Sequence, residues 1–162
     1  AGQATAALEL FEQVEDLDVV VCPVGGGGLL SGTALAIKSL RPSIRVIGAE
    51  PAQADDAAAS FQAGRIVARP ANTIADGLRT LLGSRNFPII REHVDAIATV
   101  SEVGIVAAMR RLWETAKIVV EASGAVPLGV IQEHPELFSG RRVGVILSGG
   151  NVDLDALPWV VR

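Results

Sequence analysis

One cysteine, Cys22, and two histidines, His93 and His134, are all that 162 residues offer to thiol or soft-metal chemistry. A lone thiol rules out an intrachain disulfide framework and a cysteine-based zinc site, and it points to a reducing compartment, the cytoplasm. Tyrosine is absent and aromatic residues make up only 4%. The formal net charge is −4 and no basic stripe interrupts the chain. A nucleic-acid binder needs clustered phosphate-neutralising side chains and stacking platforms, and this composition argues against both. No apolar run approaches the roughly 20 residues of a membrane span. The opening "AGQATAALELFEQ" has neither the basic start nor the apolar centre of a signal peptide. It reads as a helix already under way, which predicts that the chain begins partway through a larger protein. Hydrophobic residues reach 49% and charged residues 20%. Together with the length, that composition predicts one folded domain with a substantial core.

Short β-branched runs alternate with helical patterns. "DVVVCPV", "IRVIGAE", "AIATV" and "RRVGVILSGGN" read as four strands, the first holding a short continuous apolar run and the second also buried, as strands covered on both faces are. Helical spacing of apolar residues predicts helices over Thr5–Val14, "LLSGTALAIKSL", "ADDAAASFQAG", "NFPIIREHV", "SEVGIVAAMRRLWETAKIV" and "GAVPLGVIQEH". A short helix is also expected over "LRTLLG", residues 78–83. The alternation predicts an α/β fold: an open, doubly wound parallel sheet of about four strands flanked by helices. Ligands in such sheets sit at the carboxyl ends of strands, where both glycine turns, 25–28 and 149–150, are placed.

The stretch "VVVCPVGGGGLLSG" sets four consecutive glycines between a buried strand and a helix. One glycine suffices for a tight turn, and each further one costs conformational entropy. Without side chains, successive backbone N–H groups can point inward, and the following helix adds the positive end of its dipole. The run therefore points to a phosphate cradle, against the plainer alternative of a turn with no ligand. The dinucleotide fingerprint G-x-G-x-x-G is a rival, because Glu50 ends the next strand where a ribose-binding acid would stand. Its glycine register does not match here, and no Gly-Lys-Ser/Thr follows to make a P-loop.

The motifs "PVGGGGLLSG", "GAEPAQADDA", "TIADGL", "FPIIREHVDAI" and "VILSGGNVDL" occur in this order in one group of proteins. The chain resembles the C-terminal part of a fold-type II pyridoxal-phosphate enzyme, with a tryptophan synthase β-like large domain, in the branch of serine racemases and threonine/serine dehydratases (ammonia-lyases). The resemblance covers essentially all of the sequence, 1–162 as one domain. It implies that Gly25, Gly26, Gly27, Gly28 and the amide of Leu29 bind the cofactor phosphate. It implies that Ser148 meets the pyridine nitrogen, that Gly77 lies against the cofactor, and that Glu121 is an acid near the ring. "VVEASG" departs from the family's usual sequence around that acid. Glu50, the Ala54 carbonyl and Asp56 match a site for Mg2+ or Ca2+, with Mn2+ in the same class. Such oxygen donors suit hard cations, while Asp55 and Asp56 could equally open a helix favourably placed in its dipole. A homodimer, an amino acid substrate of the serine/threonine kind and a nucleotide effector follow from the same resemblance.

A pyridoxal enzyme also needs a Schiff-base lysine. The sequence has Lys38 and Lys117, and neither stands in the family's lysine motif, which belongs upstream, as does the opposite-face serine. No catalytic residue is therefore expected within the chain. Three functions remain open: part of a lyase or racemase, a stand-alone phosphate or pyridoxal-phosphate binding module without turnover, and a dinucleotide-binding half-domain. His93, His134, Trp113 and the pair Arg110–Arg111 read as helix-end, core and solvated positions with no role in chemistry.

Overall fold

The structure, a computed structural model, describes residues 2–160. In chain order the main elements are α1 (Thr5–Gln13), β1 (Val19–Pro23), α2 (Gly28–Leu40), β2 (Arg45–Pro51), α3 (Asp56–Ala63), α4 (Phe87–His93), β3 (Ala96–Val100), α5 (Glu102–Arg111), α6 (Ala122–Glu133) and β4 (Val143–Val145). The four strands form one sheet in the order β3-β2-β1-β4, parallel at every pairing. The expected α/β architecture is present.

β1 is central and all five of its residues are buried. Its alternation divides the core into two halves. Val20 and Cys22 pack with Leu30, Ile37 and Ile90 on the face covered by α1, α2 and α4. Val19 and Val21 pack with Ile47, Ile105 and Val126 on the face covered by α5 and α6. Burying each such side chain contributes roughly 1.5–3 kcal/mol, so a β1 that is apolar on both faces belongs in the middle of the sheet. Strand order runs outward from β1 in both directions, to β2 and β3 on one side and to β4 on the other. The gap above β1 and β4 is the topological switch point, where open α/β sheets hold ligands.

α5 shows how helix and sheet are tied. Ser101 caps it, with its hydroxyl accepting from the Gly104 N–H at 3.0 Å. Glu133, the last residue of α6, receives the Ser101 hydroxyl at 2.5 Å and the Ser101 N–H at 3.0 Å. One residue thus terminates β3, starts α5 and anchors α6. Ser101→Ala is expected to cost about 1–2 kcal/mol of stability in urea unfolding. Combined with Glu133→Ala it should cost less than the sum, because both remove one network.

Two expectations need correction. Residues 78–83 are not a helix: a single 3-10 turn covers Asp76–Leu78 and the chain then runs irregularly. The Leu82 N–H donates to the Asp56 carboxylate at 2.7 Å and the Gly83 N–H to the Gly26 carbonyl at 3.1 Å. These donors face distant acceptors, so no i→i−4 ladder forms. The long helix from Ser101 is also shorter than its apolar stripe suggests. It passes into a π-turn at Leu112–Ala116 and stops at Lys117, with φ +58°. There the Trp113 indole N–H donates to the Val120 carbonyl and its ring meets Trp159 edge-on, so Trp113 is a packing residue as expected.

Candidate cofactor site

The glycine run bridges β1 and α2 at the switch point. Gly27 has φ +84°, a left-handed conformation that favours glycine. Gly25 and Gly27 are tightly surrounded. A β-carbon on Gly25 would stand 2.8 Å from the Thr80 hydroxyl, and one on Gly27 would stand 2.8 Å from Leu82 Cδ1 and 2.9 Å from Ile90 Cδ1. Gly28 differs, because nothing lies within 4 Å of where its β-carbon would be. The carbonyls of Gly26 and Gly27 are engaged, by the Gly83 N–H and the Asn86 side chain and by the Ser31 N–H respectively. No acceptor within the described residues takes the N–H of Gly25, Gly26, Gly27, Gly28 or Leu29. Consecutive free donors at the head of a 13-residue helix are suited to a phosphate dianion.

β4 pairs with β1 through Val19↔Val143, Val20↔Gly144 and Val21↔Val145, and the Ile146 N–H still reaches the Val21 carbonyl. The segment after β4 therefore emerges beside the glycine run. Ser148 is half-buried there and its hydroxyl has no partner among the described residues. Glu121, at the start of α6, holds this turn. Its carboxylate accepts the Asn151 N–H at 2.8 Å, and its own N–H donates to the Gly149 carbonyl at 3.2 Å. Gly77 is brought to the same place, donating its N–H to the buried Ser123 hydroxyl at 3.0 Å. Since Leu78 touches Gly25, Gly25–Leu29, Gly77, Glu121 and Ser148 form one continuous neighbourhood. A cavity of about 370 Å3 bordered by Asp76, Arg79, Glu121 and Asn151 opens on its α6 side. Larger hollows at Asp55, Arg69 and Thr99 and between α5 and α6 lie away from the glycine run.

Glu50 and Asp56 also meet, at the N-terminus of α3, but separately from the glycines. Glu50 is 1% exposed, and its two oxygens accept the Ala57 and Ala58 N–H groups, each at 2.8 Å. Burial pushes its pKa up to about 8; the Ala58 and Ala57 amides oppose the rise, and the nearby Asp56 and Asp55 charges add to it. Burial raises Asp56 too, against the amide of Leu82. An acid held inward against α3 does not face a ribose, so the dinucleotide alternative loses its key contact. Ala54 is buried in the 3-10 turn just before α3. Among the described residues no cluster of three or more His, Cys, Asp or Glu side chains forms a metal site.

The remaining reactive groups stand elsewhere. Lys38 sits at the far end of α2, its ammonium 2.9 Å from the Ile44 carbonyl and 2.8 Å from the Asp95 carboxylate, below the start of the sheet. Lys117 donates to the Glu114 carbonyl. Cys22 is fully buried, and burial pushes its thiol up to about 12 despite the Thr33 hydroxyl, so it is unreactive. His134 is tied to the Thr99 carbonyl at 2.9 Å. Sequence patterns did not single out Asn86, Ser123, Asn151 or Gly83. Each contacts residues tens of positions away, and no local periodicity marks such a role.

The chain is similar to known proteins in sequence and in fold. The beta-hydroxyaspartate dehydratase of Paracoccus denitrificans (strain Pd 1222) is 54% identical over 160 residues, 98% of this chain and 51% of that protein. The Serine racemase of Arabidopsis thaliana is 48% identical over 163 residues, 97% of this chain and 49% of that protein. Among solved structures, a T.th. Threonine deaminase superposes with a TM-score of 0.91 at 49% identity, covering 94% of this chain and 58% of that one. The chain spans about half the length of the curated relatives it matches. Residues 1–149 match the family described as Pyridoxal-phosphate dependent enzyme, and the chain belongs to that family.

Proposed function

We propose that this chain forms the phosphate cradle, pyridine-nitrogen partner and divalent-cation site of a pyridoxal-phosphate-dependent lyase or racemase acting on β-hydroxy amino acids: serine, threonine or a hydroxyaspartate. The row of unpaired amides from Gly25 to Leu29, beside the free Ser148 hydroxyl, carries the proposal. Pyridoxal phosphate, when bound, supplies an electron sink for the α-carbon of an amino acid. The amides and the α2 dipole would hold its phosphate. Ser148 would meet the pyridine nitrogen with a neutral hydroxyl, leaving that nitrogen unprotonated and the electron withdrawal moderate, which suits loss of a β-hydroxyl. Gly77, where a β-carbon would stand 3.0 Å from the Ser123 hydroxyl, would lie against the ring face. Glu121 keeps the Ser148 turn in place.

Lys38 and Lys117 both stand off the cradle, so in this proposal the lysine that links the cofactor and moves the α-proton belongs to a part of the protein beyond these residues. The chain would then be the C-terminal portion of the large domain. The same observation favours a second function for the chain alone: binding without turnover. Glu50, Asp56 and the Ala54 carbonyl would hold Mg2+ or Ca2+, since two buried acids lie together and, among the described residues, no basic side chain pairs with either. The family resemblance supports a homodimer with a nucleotide effector, placed in the cytoplasm.

The test is a pyridoxal-phosphate titration of the protein followed by absorbance, with Ser148→Ala alongside. Saturable binding that weakens about 5–10-fold in Ser148→Ala, one hydrogen bond's worth, is expected. Equal affinity in both proteins would remove Ser148 from the site. Turnover of serine or threonine by the protein separates the enzyme from the binding module.

A further inference from the structure

Asn86 occupies the N-cap position of α4, yet its side chain makes no cap hydrogen bond. Asparagine at this position ordinarily accepts from the first turn of its own helix. Here the side-chain amide instead donates to the Gly26 carbonyl at 2.6 Å, and its oxygen faces the Ser31 hydroxyl at 3.4 Å. The Gly26 carbonyl takes a second donor, the Gly83 N–H at 3.1 Å. A carbonyl has two lone pairs, so this one is saturated and its direction is set. The Asn86 β-carbon also presses on Gly27, lying 3.0 Å from where a Gly27 β-carbon would be.

The consequence comes from the planarity of the peptide. The Gly26 carbonyl and the Gly27 N–H belong to one trans unit and point in opposite directions. Clamping the carbonyl toward the 83–86 segment turns the Gly27 N–H away from that segment, and it joins the N–H groups of Gly25, Gly26, Gly28 and Leu29 that find no acceptor among the described residues. A donor already accepting at its carbonyl end is also polarised, which strengthens the bond it makes at nitrogen. The chain is glycine at this point and has little intrinsic preference of its own.

We propose that Asn86 is a positioning residue that aims the Gly27 amide at the cofactor phosphate and so sets the affinity of the cradle. The inference rests on the phosphate cradle proposed above. Its effect is on the phosphate end of the ligand alone.

The test compares pyridoxal phosphate with pyridoxal, which lacks the phosphate, on the full-length protein. Dissociation constants are measured for the wild type, Asn86→Ala and Asn86→Asp. The second variant keeps the side chain's size but has no N–H to donate, and it covers the case in which Asn86→Ala does not fold. In the variants pyridoxal phosphate should bind about 10-fold more weakly, with pyridoxal binding unchanged within about 2-fold. The phosphorus-31 resonance of the bound cofactor should move, which a general loss of stability would not produce. Unchanged binding of pyridoxal phosphate, or equal weakening of both ligands, overturns the inference. A wild type that binds the two ligands equally well overturns the cradle itself, and that result is distinguishable because it appears before any variant is made.

Discussion

Gly28→Ala is expected to leave the protein folded and to abolish most of its affinity for pyridoxal phosphate, while Gly27→Ala should destabilise it strongly. The two glycines are neighbours with different obligations. Gly27 sits at φ +84° with Leu82, Ile90 and Asn86 closing around its α-carbon. A left-handed alanine costs about 1–2 kcal/mol, and forcing a methyl into that packing adds about 1–3 kcal/mol. The sum, about 2–5 kcal/mol, is a large share of the net stability of a small domain, about 5–15 kcal/mol. Gly28 begins α2, has ordinary backbone angles, and has open space where a β-carbon would go. Alanine is the better helix former there by up to about 1 kcal/mol, so packing within the chain gives no reason for glycine. The remaining reason is a ligand that approaches the backbone. A methyl group at that point should raise the dissociation constant for pyridoxal phosphate about 10–100-fold. Urea unfolding and a cofactor titration on both variants check the pair. Wild-type affinity in Gly28→Ala would mean that the phosphate is held elsewhere.

Glu50 gives the second large effect, read in the stability of metal-free protein against pH. Its pKa rises from an ordinary 4.5 to about 8, chiefly through burial. A carboxyl with a raised folded-state pKa binds more protons in the native protein than in the unfolded chain. Its contribution is therefore fully present below about pH 4.5 and is lost as pH climbs through about 8. The loss is at most about 5 kcal/mol, or about 10–20 °C in melting temperature for a chain of this size. Glu50→Gln should flatten the slope. It should also lower stability near pH 5, because glutamine has one acceptor oxygen and its NH2 group can only donate, leaving one of the Ala57 and Ala58 N–H groups without its acceptor. Adding Mg2+ or Ca2+ at pH 8 should restore stability to the wild type and not to Glu50→Gln. A flat wild-type profile would contradict the burial effect, and a cation that stabilises neither protein would remove the proposed metal site.

Much of this molecule is visible in short-range pattern. The β-branched runs mark all four strands, most clearly the central β1, because a residue of a strand covered on both faces is buried whichever way it points. The tetraglycine run marks the carboxyl end of β1, because glycine suits the left-handed turn at Gly27 and leaves bare amides on either side. The late "SGGN" turn falls beside it, because β4 and β1 are neighbours in the sheet. The order and spacing of these motifs also carry the family resemblance.

Tertiary structure decided the rest, and in each case a polar group chose between a near partner and a distant one. Leu78–Gly83 looks like a helix until Leu82 and Gly83 give their N–H groups to Asp56 and Gly26. Asn86 looks like a cap for α4 until its amide turns to the glycine run 60 residues earlier. Glu50 looks available to a ribose until both its oxygens close on α3. Lys38 follows the glycine run by one helix in sequence, but 13 residues of α2 carry it to the opposite end of the sheet. Side-chain periodicity indicated which residues share a buried face, because that spacing is a property of the helix or strand itself. The destinations of hydrogen-bonding groups depended on which strands and loops came together, and those destinations shape the site.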